Sequence, residues 1–168
     1  METSHKKFIK LSVLLISSLL IAKVSADAAS YLYLQGNVTV ASTQDLIWIK
    51  DGSIVSGDTV TMDLEVQPSV TTNITGRLYL KNQGTSNYSV SLIVTSAISG
   101  FSKCDIHVYQ NSTGAWQYVT TLDATSTSSQ YTSGSLGAGE YYKLDFEITA
   151  PSSGSGSFTI KVEYSSSS

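Results

Sequence analysis

The chain has 168 residues, of which 10 are Lys or Arg and 13 are Asp or Glu, so its formal net charge is −3. This length fits one domain with a proper hydrophobic core, whereas the few charges and their negative balance exclude electrostatic capture of nucleic acid. The single cysteine, Cys104, excludes a disulfide framework within the chain.

Residues 1–26 have the pattern of a secretory signal peptide. A segment with three lysines precedes the twelve-residue apolar run Leu11–Ala22. At about 1.5 Å per residue this run reaches roughly 18 Å, too short for a bilayer core of about 30 Å. Small residues then predict cleavage between Ala26 and Asp27. The alternatives are an uncleaved anchor, against which Lys23 argues, and a type IV pilin leader, which needs a small residue just ahead of the apolar run.

Cleavage would leave a secreted, extracellular chain that is more acidic than the precursor. It would have 142 residues with six Lys or Arg and twelve Asp or Glu, a net charge of −6, and His107 as its only histidine. No later segment is apolar enough to cross a membrane, so we expect no membrane partner after cleavage.

Alternation of apolar and polar residues, typical of half-buried strands, recurs after residue 26. In chain order the predicted strands are Tyr31–Leu34, Asn37–Val40, Leu46–Lys50, Thr59–Val66, Arg77–Lys81, Tyr88–Val94, Asp105–Gln110, Trp116–Leu122, Tyr142–Ile148 and Phe158–Tyr164. Turns separate them, most with a glycine. About ten short strands without helical periodicity predict an all-β fold, a two-sheet, jelly-roll-like sandwich over residues 37–164.

Three segments fall outside this strand pattern. Ala124–Gly139 and Pro151–Gly156 are rich in Ser, Thr and Gly and are predicted to be loops. Ser165–Ser168 is predicted to be a frayed polar tail.

Residues 27–36 would form the new N-terminus after cleavage. The segment has strand character, and Gly36 is expected to separate it from the next strand. Such a segment can leave its own fold and pair with the exposed sheet edge of a neighbouring copy. Repeated head to tail, that contact does not close and builds a filament. An edge strand of its own sheet explains the same residues equally well.

Enzyme chemistry finds little support in the sequence. His107 alone cannot build a multi-histidine zinc site, and Cys104, three residues away, would lie on the opposite face of a strand. No Gly-x-Ser-x-Gly elbow and no phosphate-binding glycine loop occurs. We therefore expect a protein without catalytic activity, metal or cofactor, with a buried inert thiol.

The surface residues suggest glycosylation and protein contacts. Four N-x-Ser/Thr sequons predict N-linked glycans, which are the only covalent modification that we expect. The candidate sites are Asn37, Asn73, Asn87 and Asn111. Asn111 is the most favourable of these because it lies in a predicted hairpin loop. The chain also has 10 tyrosines, more than ordinary strand propensity requires, and tyrosine suits interfaces because its ring gives contact area while its hydroxyl stays wet.

Short motifs add a family resemblance to this pattern. They are Ser56-Gly57-Asp58 leading into a strand, Lys81-Asn82-Gln83-Gly84 ahead of Tyr88–Val94, and Leu136-Gly137-Ala138-Gly139-Glu140 running into Tyr142–Ile148. Together with the signal peptide and the short N-terminal strand, the chain resembles the TasA/camelysin-like fibre proteins, and most of all the subunits of archaeal bundling pili. The resemblance covers most of residues 27–164.

The resemblance implies extracellular filaments built by donor-strand complementation, in which the N-terminal strand of one subunit enters the next. That role would fall on Ala28, Ala29, Ser30, Tyr31, Leu32, Tyr33 and Leu34. Camelysin is described as a peptidase, but residues for a zinc site are missing here, so the resemblance does not carry an enzymatic activity over.

The sequence thus predicts a structural pilus subunit whose partners are other copies of itself, with lateral bundling for cell adhesion or biofilm formation. The alternative is a secreted monomeric β-sandwich for adhesion or glycan binding. Such a module needs exposed aromatic residues such as Trp48 or Trp116, and both lie within strand patterns. The two readings differ in whether residues 27–36 complete the molecule's own sheet or that of another copy.

Overall fold

The computed structural model describes residues 32–40, 45–55, 59–112 and 114–166, and all the regular structure in these ranges is β. Its strands are β1 (Leu32–Val40), β2 (Leu46–Lys50), β3 (Ser53–Val55), β4 (Thr59–Val66), β5 (Thr71–Asn82), β6 (Tyr88–Ser96), β7 (Lys103–Asn111), β8 (Trp116–Asp123), β9 (Gln130–Leu136), β10 (Tyr141–Thr149) and β11 (Gly156–Ser166). The predicted signal peptide, its cleavage site at Ala26 and Asp27, and the donor residues Ala28–Tyr31 lie outside the described residues.

The strands form two sheets, which confirms the predicted all-β sandwich. Sheet A has five strands in the order β4-β1-β11-β6-β9, and sheet B has six in the order β3-β2-β5-β10-β7-β8. Among the described strands, β1 and β11 form a parallel pair, from Leu34 opposite Gly156 to Val40 opposite Val162. The other strand pairs are antiparallel.

The core lies between the two sheets and is built from the apolar side of each alternating strand. Met62, Leu92 and Ile160 from sheet A and Leu80 and Phe146 from sheet B are each no more than 1 % exposed. The Phe146 ring also meets Phe158 of the opposite sheet, with centroids 6.2 Å apart. Each such side chain contributes about 1.5–3 kcal/mol through burial, so the period-two pattern determines which face of each strand is inside.

The prediction of two N-terminal strands separated by Gly36 is wrong. β1 runs through Gly36, which pairs with Met62 on one side and Phe158 on the other. A Cβ atom at residue 36 would lie 2.7 Å from Cζ of Phe158. This glycine therefore marks a close approach of an aromatic ring within the strand and not a turn.

Two other segments differ from their predicted state. Ala124–Gly139, predicted to be a loop, contains β9, whose inward positions are the buried Gly134 and Leu136. The ring of Tyr131 and the hydroxyl of Tyr142 fill the space beside Gly134, so β9 does not show the apolar alternation by which strands are recognised. In the predicted tail, Ser165 and Ser166 belong to β11 and pair with β6, because the ladder continues past the last apolar residue.

Trp48 gives a stability prediction for the core. Its side chain is 1 % exposed, yet Nε1 has no hydrogen-bond partner among the described residues. Trp48→Phe is expected to change the free energy of unfolding by less than about 1.5 kcal/mol, because the lost packing is offset by removal of an unpaired buried N–H. Trp48→Ala should cost about 3–5 kcal/mol. Urea unfolding followed by circular dichroism measures both, and equal losses would contradict the argument.

Candidate functional site: the N-terminal strand and the outer sheet faces

β1 occupies a slot between β4 and β11 and supplies a complete hydrogen-bond ladder to each. Its inward residues Leu34 and Val38 are each 1 % exposed. Val38 pairs with Val60 of β4 and with Ile160 of β11. Among the described strands of sheet A, β4 has β1 as its only neighbour. Removing β1 would therefore leave β4 without a partner among these strands and would expose the edge of β11.

Polar contacts on the outer side hold β1 to β4. Asn37 Oδ1 accepts a hydrogen bond of 3.0 Å from the hydroxyl of Thr61. Lys50 of β2 reaches across to donate from Nζ to the backbone oxygen of Thr61 at 2.7 Å. Asn37 is thus half-buried, and the oxygen of its side-chain amide is engaged within the sheet.

A polar cleft of about 590 Å³ opens on sheet A where the chain enters β1. Its lining comes from the start of β1, the middle of β4, the end of β6 with the residues after it, and the start of β11 with the residue before it. The lining residues are Leu34, Gln35, Asp63, Ser96, Ala97, Ser99, Ser155, Gly156 and Ser157. Gln35 Nε2 lies 3.5 Å from Asp63 Oδ1 across this cleft. The cleft therefore lies next to Leu32–Leu34, the part of the predicted donor segment that the structure describes.

The three remaining sequons differ in their surroundings. Asn73 is exposed on β5. Asn87 is exposed, with Oδ1 3.4 Å from the backbone nitrogen of Ala138. Asn111, the most favourable candidate in the sequence, is half-buried, and its Oδ1 accepts a hydrogen bond of 2.9 Å from the backbone of Gly114. Asn73 and Asn87 are thus more exposed than Asn111.

His107 lies in a polar network on the outer face of sheet B. Its Nδ1 is 2.7 Å from the hydroxyl of Thr121 on β8, and its Nε2 is 3.2 Å from Oε2 of Glu147 on β10. Lys103 binds the other oxygen of Glu147 at 2.8 Å. The Lys103 ammonium, followed by His107, holds the pKa of Glu147 below its ordinary range. The sequence gives no sign of this network because it needs the register of three strands.

Cys104 lies on the opposite face of the same strand, as its spacing from His107 predicts. It is fully buried, and burial raises the pKa of its thiol to about 12. The thiolate form required of a nucleophile is therefore strongly disfavoured, and the predicted buried thiol is confirmed.

Glu147 gives a prediction for pH dependence. Because the pKa of Glu147 is lower in the folded chain than its ordinary value of 4.5, its stabilising contribution is complete at neutral pH and is lost as the pH falls through the folded pKa. Glu147→Gln is therefore expected to be less stable than the parent chain at pH 7, and the difference should shrink at acid pH. Thermal unfolding between pH 7 and pH 3 measures this. Glu65→Gln, on the exposed face of β4, serves as the control, and a constant difference across pH would contradict the prediction.

An aromatic belt crosses the outer face of sheet B. We use this name for Tyr79 of β5, Lys143 of β10, Tyr109 of β7, and Trp116 and Tyr118 of β8. Trp116 and Tyr118 are 41 % and 61 % exposed. Strand patterns in the sequence place both tryptophans inside strands, but they do not reveal that Trp48 is buried while Trp116 lies on the surface. The tyrosine count was the one signal in the sequence for this belt.

Neither the described residues nor a comparison with known proteins assigns a chemistry or a family to the chain. Over the described ranges, no group of three His, Cys, Asp or Glu side chains is arranged to hold a metal ion. No helix in that part of the chain has the length and hydropathy needed to span a membrane. The chain matches no protein-family model and none of the curated proteins with which it was compared.

Proposed function

We propose that the protein is the structural subunit of an extracellular filament, in which β1 of one copy completes sheet A of the next. In this proposal the exchanged strand is the whole of Leu32–Val40, preceded by Ala28–Tyr31, which lengthens the predicted donor segment. Glycans at exposed sequons such as Asn73 would face solvent along the filament.

The observation that carries the proposal is the slot between β4 and β11. β4 and β11 form its two walls. β1 pairs with both of them by main-chain ladders and fills the interior with Leu34 and Val38. Ladders of this kind supply affinity for any strand of suitable sequence, and the inward side chains set its register.

The connection after β1 also supports exchange. Residues 41–45 link β1 in sheet A to β2 in sheet B, and β1 is the first of the described strands along the chain. A terminal strand can be exchanged between identical copies without new contacts, because the groove is the same in each copy. When each copy receives its strand from one neighbour and gives its own to another, the contact is heterologous and the assembly grows as a filament, whereas a reciprocal exchange between two copies would close as a dimer.

A pair of introduced cysteines tests this proposal. Asn37 and Thr61 are directly opposite in the antiparallel pair of β1 and β4, and such Cα atoms are about 4.5–5.5 Å apart, within reach of a disulfide. In the chain Asp27–Ser168 with Asn37→Cys and Thr61→Cys, exchange would join successive copies covalently. Non-reducing gels should then show a ladder of multimers, and negative-stain microscopy should show filaments. Covalent monomer alone would overturn the exchange of β1.

Thr71→Cys with Thr149→Cys is the matched control. These residues are opposite each other in β5 and β10, with hydroxyls 2.8 Å apart, and both strands lie within sheet B of one copy. This pair should give an intramolecular disulfide whether or not β1 is exchanged. Multimers from the control pair would show that the ladder reflects nonspecific oxidation.

A further inference from the structure

The outer face of sheet B carries one continuous row of large side chains. Residues directly opposite in paired strands share a face of the sheet, and the pairing places the aromatic belt in line with two isoleucines nearer the β3 edge. In order across six strands, the row is Ile54, Ile49, Tyr79, Lys143, Tyr109 and Tyr118. With neighbouring strands about 4.8 Å apart, the row is about 24 Å long. Its two ends, Ile54 and Tyr118, are 67 % and 61 % exposed.

Ring contacts hold the belt together. Trp116 lies against Tyr79 with centroids 5.8 Å apart, and Tyr109 meets Tyr118 edge to face at 5.9 Å. Lys143 Nζ lies 4.4 Å from the centroid of Tyr109 and 5.4 Å from that of Trp116. The rings are therefore fixed before any ligand arrives, which lowers the entropic cost of binding.

The corresponding face of sheet A is quite different. There a row across four strands consists of small polar residues, Thr61, Asn37, Thr159 and Ser96. Composition alone would distribute aromatic residues over both faces, so the belt is a property of sheet B. A row of this size on one face, with exposed ends and half-buried residues between them, is typical of a binding surface.

The charges of the belt are already neutralised within the molecule. Lys143 Nζ is 2.7 Å from Oδ2 of Asp145, and Asp145 is also held by the backbone N–H of Gly76 at 2.9 Å. In the neighbouring row, Lys81 lies 5.1 Å from the centroid of the Tyr141 ring. Because the one cation of the belt is paired with Asp145 and acids outnumber cations in the whole chain, the belt offers a polyanion little net attraction. The occupant that complements this surface is uncharged.

We propose that the aromatic belt is a binding surface for neutral polysaccharide. Aromatic rings with an apolar face and a wet edge suit a ligand that has both C–H faces and hydroxyl groups. Hydrogen-bonding groups border the rings, since the hydroxyls of Tyr118 and Thr121 lie 2.9 Å apart and Thr121 in turn meets His107. The belt is on sheet B whereas β1 is on sheet A, so this binding does not depend on filament assembly.

Affinity electrophoresis tests the proposal with named probes. The chain Asp27–Ser168 is run on native gels cast with hydroxyethyl cellulose, with yeast mannan or with alginate, and on gels without polysaccharide. We expect retardation by at least one of the two neutral polymers and none by anionic alginate. Trp116→Ala with Tyr118→Ala should weaken binding about tenfold or more. Ile93→Ala, half-buried on sheet A, should leave it unchanged.

Tryptophan fluorescence gives a second, independent measurement. In Trp48→Phe, Trp116 is the remaining tryptophan, so its emission should shift to the blue and its quenching by acrylamide should fall when the retarding polymer is added. Absence of retardation by both neutral polymers, retardation by alginate alone, or equal binding by the Trp116→Ala, Tyr118→Ala chain would overturn the proposal. So would light scattering that shows self-association without polysaccharide which Trp116→Ala with Tyr118→Ala abolishes, because the belt would then pair with a second copy.

Discussion

A chain that begins at Ala41 and so lacks β1 is expected not to fold cooperatively on its own. The deletion removes the buried Leu34 and Val38, each of which contributes about 1.5–3 kcal/mol through burial. It also removes both ladders of β1, and β4 then has no strand neighbour in sheet A. Together these losses are comparable with the about 5–15 kcal/mol that stabilises a typical domain. Circular dichroism and thermal unfolding of the shortened chain measure the effect.

A synthetic peptide of residues Leu32–Val40 provides the decisive second measurement. Added in trans, it should restore a cooperative unfolding transition whose midpoint rises with peptide concentration, because a ligand that binds only the folded chain stabilises it by mass action. A peptide with Leu34→Asp and Val38→Asp is the control and should have no effect. If the shortened chain folds with the stability of the chain that begins at Leu32, the slot does not require β1 and the proposed assembly loses its basis.

The second large effect is expected at Gly36. In Gly36→Ala the added methyl group would lie 2.7 Å from Cζ of Phe158, whose side chain is 1 % exposed and has little room to move. Overpacking of this kind costs about 1–3 kcal/mol, and it would act on β1 wherever this strand is inserted. Filament formation and the free energy of unfolding should therefore both fall. Gln35→Ala, at the exposed neighbouring position, should change stability by less than about 0.5 kcal/mol.

A double-mutant cycle connects this loss to one contact. Phe158→Leu shortens the side chain that faces Gly36, so the combination with Gly36→Ala should be more stable than the two single losses predict. We expect a coupling energy of about 0.5–3 kcal/mol from urea unfolding of the four chains. Additive losses would mean that the methyl group introduced by Gly36→Ala does not press on the side chain of residue 158.

Strict alternation predicted the position of a strand better than its ends. β4 has the predicted bounds, because its inward residues are large and apolar and its outward residues are polar, whereas β6, β10 and β11 extend beyond their predicted alternating segments. β2 also has the predicted bounds, although its outward residues Ile47 and Ile49 are apolar. β3 was missed because three residues are too few for a pattern. β9 was missed because Gly134 stands where an inward side chain is expected and two tyrosines fill its space. Such a strand is recognisable through its tertiary contacts alone.

The candidate site was less accessible to sequence reasoning than the fold. The strand character of the N-terminal segment was visible, but its parallel pairing with β11 joins residues far apart in the chain. The aromatic belt has the same origin, since Tyr79, Tyr109 and Tyr118 come together through the pairing of β5, β10, β7 and β8. Local patterns show which side of a strand is polar, and register decides which polar sides are neighbours.

The parallel pairing of β1 and β11 also fixes where β1 begins relative to the end of β11. Both strands run in the same direction, so the chain enters sheet A near Leu34 and leaves it beyond Val162, at the other end of the same pair. Over nine residues of β1 this is a separation of about 30 Å. A fusion partner attached directly after Ser166 would thus be carried at the end of sheet A opposite the start of β1.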